Sequence, residues 1–583
     1  MFTGINIKDD WNNWGFASYV KLGKNQSVES LFGKIQPFWS NLIKERWNIE
    51  QGTERAEEHK LSLVPLKDSH FYNNNKKSFV YLIIVIGIII LALAVVNYIN
   101  LSLAISTTRI KEIGVRKSIG SKRSNLFKQF VNESVIITLM ASVVALFIVY
   151  ISKSFYYDIT GSDELIQLDK LWIGVLIFFL GVLAIGIVSG AYPAFQLTKI
   201  QPVHALRSEL NSGKSSNVLK NILVVFQFVI SISLIIAVFT ISEQVNYMKT
   251  KKLGFNHEYV LYFAQSEGIN EKYEVFKQTL MKNPNVLSVS RSNGPLGHQW
   301  SISSKHMVNG EDRTYSATTV DPDFINTMGI DFIEGRNFSW DMKSDFNSTA
   351  LVNENFVKEF ELEPVIGANV KFMGNDVTII GVVKNFHNTS LHQTIEPGLL
   401  FYNDWGATVN IKINEKDIDR TIAGIQKIWD DFSEDMPFEY KFLDESYNEL
   451  YKSETEFGLL IKVFSILAVC IACLGLFGLV SFTANKRKKE IGIRKINGAK
   501  IHEILSMLNQ DITKWVLVAF IISCPIAYYT MTKWLENFAY KTELSWWIFA
   551  VAGFIALFIA LATVSWQSWR AANRNPVEAL RCE

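Results

Sequence analysis

Cysteine is almost missing from this chain, with four in 583 residues. Cys470, Cys473 and Cys524 fall in apolar runs and Cys582 lies beside the C-terminus, so the long stretch 244–456 has none. That excludes a disulfide scaffold there, and the stretch has to hold its fold with a packed core. A strong charge imbalance is missing too. The formal net charge is +2, and nothing global points to a nucleic-acid partner. No series of carboxylates and histidines crosses the apolar runs, whose main polar residues are Asn97, Asn100, Glu133 and Gln227. Ion-coupled pumps rely on such a series, so the energy for any work has to come from outside the chain. Residues 1–10 have neither the basic start nor the apolar run of a signal peptide. Asn385-Phe386-His387 has no second histidine at ligand spacing, and no nucleophile stands beside a base. His387 therefore reads as a structural or surface residue, and 244–456 as a binding or mechanical module without catalysis.

What the chain does have is seven apolar runs, at about 79–104, 130–152, 171–195, 222–243, 457–482, 514–534 and 545–569. Each is long enough to cross a hydrocarbon core of roughly 30 Å. The sixth is the least regular, with Lys514 and Lys533 at its ends and Pro525 inside. Basic residues cluster at 105–129 (Arg109, Lys111, Arg116, Lys117, Lys122, Arg123, Lys128) and at 483–513 (Lys486, Arg487, Lys488, Lys489, Arg494, Lys495, Lys500). Positive charge marks the cytoplasmic side. Alternation then places 196–221 and the C-terminal tail inside, and 1–78, 153–170, 244–456 and 535–544 outside.

Lys-Glu-Ile-Gly-Val-Arg-Lys at 111–117 returns as Lys-Glu-Ile-Gly-Ile-Arg-Lys at 489–495, each followed at equal spacing by a glycine, Gly120 or Gly498. Gln-Pro-Val-His-Ala-Leu-Arg at 201–207 returns as Asn-Pro-Val-Glu-Ala-Leu-Arg at 575–581. Ahead of the first and fifth runs stand Pro-Leu-Lys-Asp-Ser-His at 65–70 and Phe-Leu-Asp-Glu-Ser-Tyr at 442–447. The chain thus reads as two copies of one membrane unit. The second copy also has a leading span and a full outer domain. Symmetry predicts an eighth span and most of another outer domain before Met1, which makes the chain an N-terminally truncated form of a longer protein.

The fold class expected is a polytopic α-helical membrane protein of about seven spans in two repeated units, with an extracytoplasmic α+β domain. In that domain, strand patterns occur at 258–263, 286–290, 376–383 and 407–413, and helical patterns at 269–282, 351–361 and 416–432. Asp321-Pro322-Asp323 opens a short helix through Met328, and Gly335 and Gly367 mark turns. The positive-inside rule accounts for Lys and Arg in the repeated heptads but not for Glu112 and Glu490, nor for the glycines. Glu and Arg four apart predict a helix with an internal ion pair. Gly114 and Gly492, each costing about 1 kcal/mol in a helix, point to the close approach of another backbone. A short amphipathic helix on the inner surface, suited to a partner's groove, follows from these residues.

With these features, and with Val320-Asp321-Pro322-Asp323-Phe324, Glu334-Gly335-Arg336-Asn337-Phe338, Val352-Asn353-Glu354 and Ile380 through His387 in that order, the whole chain resembles the FtsX-like/MacB-type ABC transporter permeases. The resemblance implies these domains: a remnant of a first periplasmic domain at 1–78, a first FtsX-like permease unit of three spans at 79–207, a cytoplasmic linker at 208–221, a leading span at 222–243, a MacB-like periplasmic core domain at 244–456, and a second three-span unit at 457–583. It implies a non-catalytic permease in the inner membrane that relays the closure of a cytoplasmic ABC ATPase dimer outward, exporting or releasing a lipoprotein, peptide, antibiotic or other amphiphile. Control of cell-wall hydrolases and sensing of antimicrobial peptides are the alternatives. ATP and Mg would be held by the ATPase, since this sequence has no Gly-x-x-x-x-Gly-Lys-Ser/Thr loop. The lipid bilayer is a partner, and a periplasmic adaptor or outer-membrane channel is a further class of partner. Coupling helices are implied at Ile110–Ser118 and Glu490–Ile496, with contacts carried by Glu112, Gly114, Arg116, Lys117, Glu490, Gly492, Arg494 and Lys495.

Overall fold

A computed structural model describes residues 19–23, 27–47, 63–66, 76–106, 109–154, 157, 171–199, 214–297, 302–308, 311–404, 406–433, 436–486 and 488–573. The repeated Pro-Val-x-Ala-Leu-Arg segments at 201–207 and 575–581, the linker residues 208–213 and most of 65–70 lie outside them. The chain divides into two compact units, Met1–Val85 and Ile86–Glu583. The first contains helix α1 (Val28–Trp47), opened by Ser27, whose hydroxyl accepts from Ser30 N at 3.2 Å. The boundary between the units falls inside helix α2 (Lys76–Ser106).

Seven helices among the described residues are long and apolar enough to cross a membrane, as the hydropathy pattern predicts. They are α2, α4 (Arg123–Ile151), α5 (Leu171–Lys199), α6 (Lys214–Thr250), α13 (Lys452–Lys486), α15 (Ile501–Leu535) and α16 (Trp546–Ala572). Short helices α3 (Ile110–Ser118) and α14 (Lys488–Ile496) occupy the two inner loops. In the second permease region α6, α13, α15 and α16 share one core, with Ile232, Ile236, Leu476, Val516, Ala519, Ala552 and Ala560 buried. In the first region α5 lies along α4, where Gly190 meets Ser134 too closely for any side chain at that point.

Between α6 and α13 lies a mixed sheet of eleven strands. Its order is β11 (Lys441–Phe442), β1 (Val260–Ala264), β10 (Thr408–Ile413), β2 (Val286–Ser292), β4 (Glu311–Val320), β9 (Gly398–Tyr402), β6 (Thr349–Asn353), β8 (Asn375–Val383) and β5 (Phe332–Gly335), with β3 (Ile302–Val308) on β4 and β7 (Asn369–Phe372) on β8. The β2–β4 seam is a single pair, Ser292 with Val320, so the sheet forms two lobes. One lobe packs α8 (Tyr273–Leu280) and α11 (Ile418–Phe432) over Phe263, Phe276 and Trp429; α7 (Glu267–Glu271) precedes α8. The other packs α10 (Glu354–Phe360) over Tyr315, Phe372 and Val377. Under the seam lie α9 (Phe324–Met328) and α12 (Leu443–Glu449), in a core reaching Met248 and Phe538 at the outer ends of α6 and α15.

The four predicted strands are β1, β2, β8 and β10, and the short helix after Asp323 is α9. Residues 351–361 are not all helical: Leu351–Asn353 close β6, and α10 begins at Glu354. β6 is buried on both faces, and such an apolar run looks the same as buried helix by period alone. The change of element falls at Asn353, whose Oδ1 caps α10 by accepting from Phe356 N at 2.9 Å.

Phe276 is fully buried, with its ring edge-on to those of Phe263 and Phe432. Phe276→Ala should cost about 3–5 kcal/mol in this lobe, read as lost hydrogen-exchange protection in β1 and β2 of the full chain in detergent. Leu287→Ala, at a half-exposed site on the same lobe, should stay within about 0.5 kcal/mol.

Candidate functional site: the paired inner helices and the outer junction

The repeated heptads form the same object twice. In α3, Arg116 pairs with Glu112 at 2.6 Å; in α14, Arg494 pairs with Glu490 at 2.9 Å. Both helices end alike. Gly120 N and Ser121 N donate to Lys117 O and Arg116 O, while Gly498 N and Ala499 N donate to Lys495 O and Arg494 O. Gly120 and Gly498 have φ of 98° and 89°, the left-handed region a side chain resists, so the equal spacing of these glycines marks a shared stop. Glutamate in the first turn and Arg and Lys in the last both oppose the helix dipole.

Each helix is seated through one face. Ile113 packs with Leu126 and Leu197, and Ile491 with Ile504 and Leu508. Gly114 and Gly492 are buried on that same inner side by the chain itself, while Glu112, Arg116, Glu490 and Arg494 are exposed. Lys117 also turns inward: its Nζ donates to Thr198 O at 2.7 Å, and burial followed by the charge of Arg123 lowers its pKa. Lys495 is half-buried at the matching position. Arg116 additionally donates to Gln129 Oε1 at 3.1 Å, and Arg109 pairs with Glu133 at 3.0 Å on α4. The outward face thus consists of an ion pair beside an exposed β-branched residue, Val115 in one copy and Ile493 in the other. Sequence reasoning passed over these two, although they are the point where the heptads differ.

A second cluster joins the outer domain to the helices. His387 is buried, donates its backbone N–H to Leu253 O at 2.8 Å and has its ring edge-on to that of Tyr540, in the loop between α15 and α16. Gln244 on α6 donates to Tyr540 O at 3.0 Å and accepts from Thr542 N at 2.8 Å. His392 contacts Glu454 Oε1 at 3.2 Å and Asn537 O at 3.1 Å and stacks on Phe538. Burial disfavours the charged His392, yet the hydrogen bond and charge of Glu454 and the Asn537 carbonyl outweigh it and raise its pKa. His387 moves the other way, to about 4, through burial and the nearby charge of Lys251. Asp321 is a structural anchor: it accepts from Tyr273 Oη and Arg291 N at 2.8 and 2.9 Å, and burial pushes its carboxyl up to about 7. No group of three potential metal ligands occurs among the described residues.

This is a multi-pass membrane protein with an outer α+β domain tied to its helices and two matched helices on the inner side. The family model described as FtsX-like permease C-terminal matches residues 84–202 and 462–576, and that of the MacB-like periplasmic core domain matches 222–421. The chain belongs to the FtsX-like permeases, with a MacB-like periplasmic core domain between its two permease regions. It is similar to the uncharacterized ABC transporter permease YknZ of Bacillus subtilis, 36% identical over 114 residues (20% of this chain, 28% of the relative). It is also similar to the macrolide export ATP-binding/permease protein MacB of Escherichia coli, 28% identical over 153 residues (25% of this chain, 23% of the relative). The matched segments thus span about a quarter of these relatives. The crystal structure of the periplasmic region of MacB from Actinobacillus actinomycetemcomitans aligns at 14% identity and a TM-score of 0.26, over 35% of this chain and 97% of that one.

The two histidines make opposite predictions. The stability that His392 adds is fully present below its usual 6.5 and lost as pH rises through its raised value. Neutral His387 weakens the fold as pH falls from 6.5 towards about 4, because the unfolded ring takes up its proton first. His392→Gln should flatten the alkaline side of a profile of melting temperature against pH, and His387→Phe the acid side. Profiles parallel to that of the parent protein would refute both assignments.

Proposed function

We propose that this chain is the permease subunit of an ABC transporter in the inner membrane, relaying ATP hydrolysis by a separate cytoplasmic ATPase dimer to its periplasmic domain. The observation that carries the reading is the duplicated helix pair α3 and α14, each offering an ion pair beside Val115 or Ile493. An exposed i,i+4 pair adds only about 0.3–0.5 kcal/mol to a helix, so stability does not explain its repetition. Recognition does, because such charges set the orientation and choice of a partner. Gly114, Gly492 and Lys117 support docking indirectly, by seating the helices against the membrane region. ATP and Mg belong to the partner: Gly213-Lys214-Ser215 resembles the end of a phosphate loop, but Ser208 stands where its first glycine is required.

The path outward is one helix. α13 has 35 residues and joins α12 of the outer domain to the start of α14; at 1.5 Å per residue it is a lever of roughly 50 Å. α6 enters the same domain from the other side. Movement of the inner helices is thereby passed to the outer lobes, where a lipoprotein, peptide, antibiotic or other amphiphile is released or exported without crossing the bilayer through this chain. A periplasmic adaptor or outer-membrane channel would receive it.

Arg116→Glu combined with Arg494→Glu should reduce co-purification of the ATPase by roughly tenfold or more, with the permease still inserted. Unchanged co-purification would remove the docking argument.

A further inference from the structure

Counting back equally from the two heptads lands on Asn97 in α2 and Gly475 in α13, and these equivalent positions meet. A Cβ on Gly475 would lie 2.5 Å from Asn97 Oδ1 and 3.1 Å from Gln227 Nε2. Asn97 Nδ2 donates to Ile471 O at 3.0 Å, and Gln227 Nε2 donates to the same carbonyl at 3.3 Å. Both carboxamides are buried. One turn further on, the Leu101 side chain fills the space that a Cβ on Gly478 would need. The next residue, Tyr98, faces its own region and donates to Ser134 on α4 at 2.9 Å. The equivalent positions of the second copy, Leu476 and Ile512, belong to an apolar core instead.

A position that began alike in two copies has therefore diverged into a polar knob and a bare socket. Two knobs would collide, and two sockets would leave a void. Small residues that let helix backbones approach, joined by an interhelical hydrogen bond, are what give membrane helices a preferred neighbour where lipid offers no hydrophobic drive. We infer that Asn97 and Gly475, with Gln227 as second donor, are the pairing determinant that makes the two FtsX-like regions unlike halves of one intramolecular pair. Each copy of the chain then closes its own membrane core and takes no half from a second copy. This holds whatever drives the protein.

The test uses the full chain in membranes, with Cys470, Cys473, Cys524 and Cys582 replaced by alanine and a protease site inserted within 208–213. Asn97→Cys with Gly475→Cys is oxidised, the site is cut, and the pieces are separated without reductant. The expected result is that the two pieces stay joined at the mass of a single chain, at least roughly tenfold more than without oxidant, since a disulfide needs Cβ atoms about 4 Å apart. Leu101→Cys with Gly478→Cys is read in the same way and covers the case in which the first pair disturbs insertion. Cross-linking found only in a product of two copies would overturn the inference, as would separation of the pieces for both pairs.

Discussion

Lipid cannot hydrogen-bond a peptide group, and much of the molecule follows from that. Every backbone N–H and C=O in the hydrocarbon layer has to be satisfied within its own helix, which forbids loops there and keeps each span unbroken. An unbroken helix is stiff. α13 is one such helix, running without a break from Lys452 to Lys486 between the outer domain and α14. Apart from the Asn97–Gln227 pair and the Tyr98–Ser134 bond, the polar contacts named above gather at the ends, where the chain leaves the helical ladder. Inside, these are the glycine stops at Gly120 and Gly498; outside, they are the contacts of Gln244, His387 and His392 with the loop at 537–542.

The two ends use different forces. At the inner end, α3 and α14 are held by small apolar clusters, and the Glu–Arg pairs look outward, where they contribute little to folding. At the outer end nearly everything is buried. Leu391 N donates to Tyr451 Oη at 3.0 Å, Tyr540 N donates to Leu391 O at 3.2 Å, and Lys251 lies 3.8 Å over the Tyr540 ring. Removing one partner from such a network strands another polar group, so the joint behaves as a unit. The inner face is weakly bonded and the outer joint strongly bonded.

The spans, the heptads and their Glu–Arg pairs were legible in the sequence because each rests on local spacing. Hydropathy marked α2, α4, α5, α6, α13, α15 and α16, and i,i+4 spacing marked Glu112 with Arg116. Orientation was not legible. Nothing in the heptad says that Gly114 turns towards the chain, because that depends on Leu197 in α5, far along the sequence. The partners of His387 and His392 in the loop at 537–542 are equally remote, and their pairing is a product of tertiary packing. β6 was read as helix because a strand buried on both faces has no alternation to reveal it.

Duplication also shows what the bilayer tolerates. In the second region Ala519, Ser523 and Ala527 form a ridge on α15 that is fully covered in the four-helix core with α6. The same positions of the first region, Ala141, Ala145 and Val149 on α4, are exposed. In water an uncovered ridge of this kind would be costly. Against acyl chains as apolar as itself such a ridge loses only packing contacts, and it stays open to a helix placed as α6 is on its counterpart. In the first region Tyr98 donates to Ser134, whereas their counterparts in the second region, Leu476 and Ile512, lie in an apolar core with α6. At this position a hydrogen bond in one copy does the work that apolar packing does in the other.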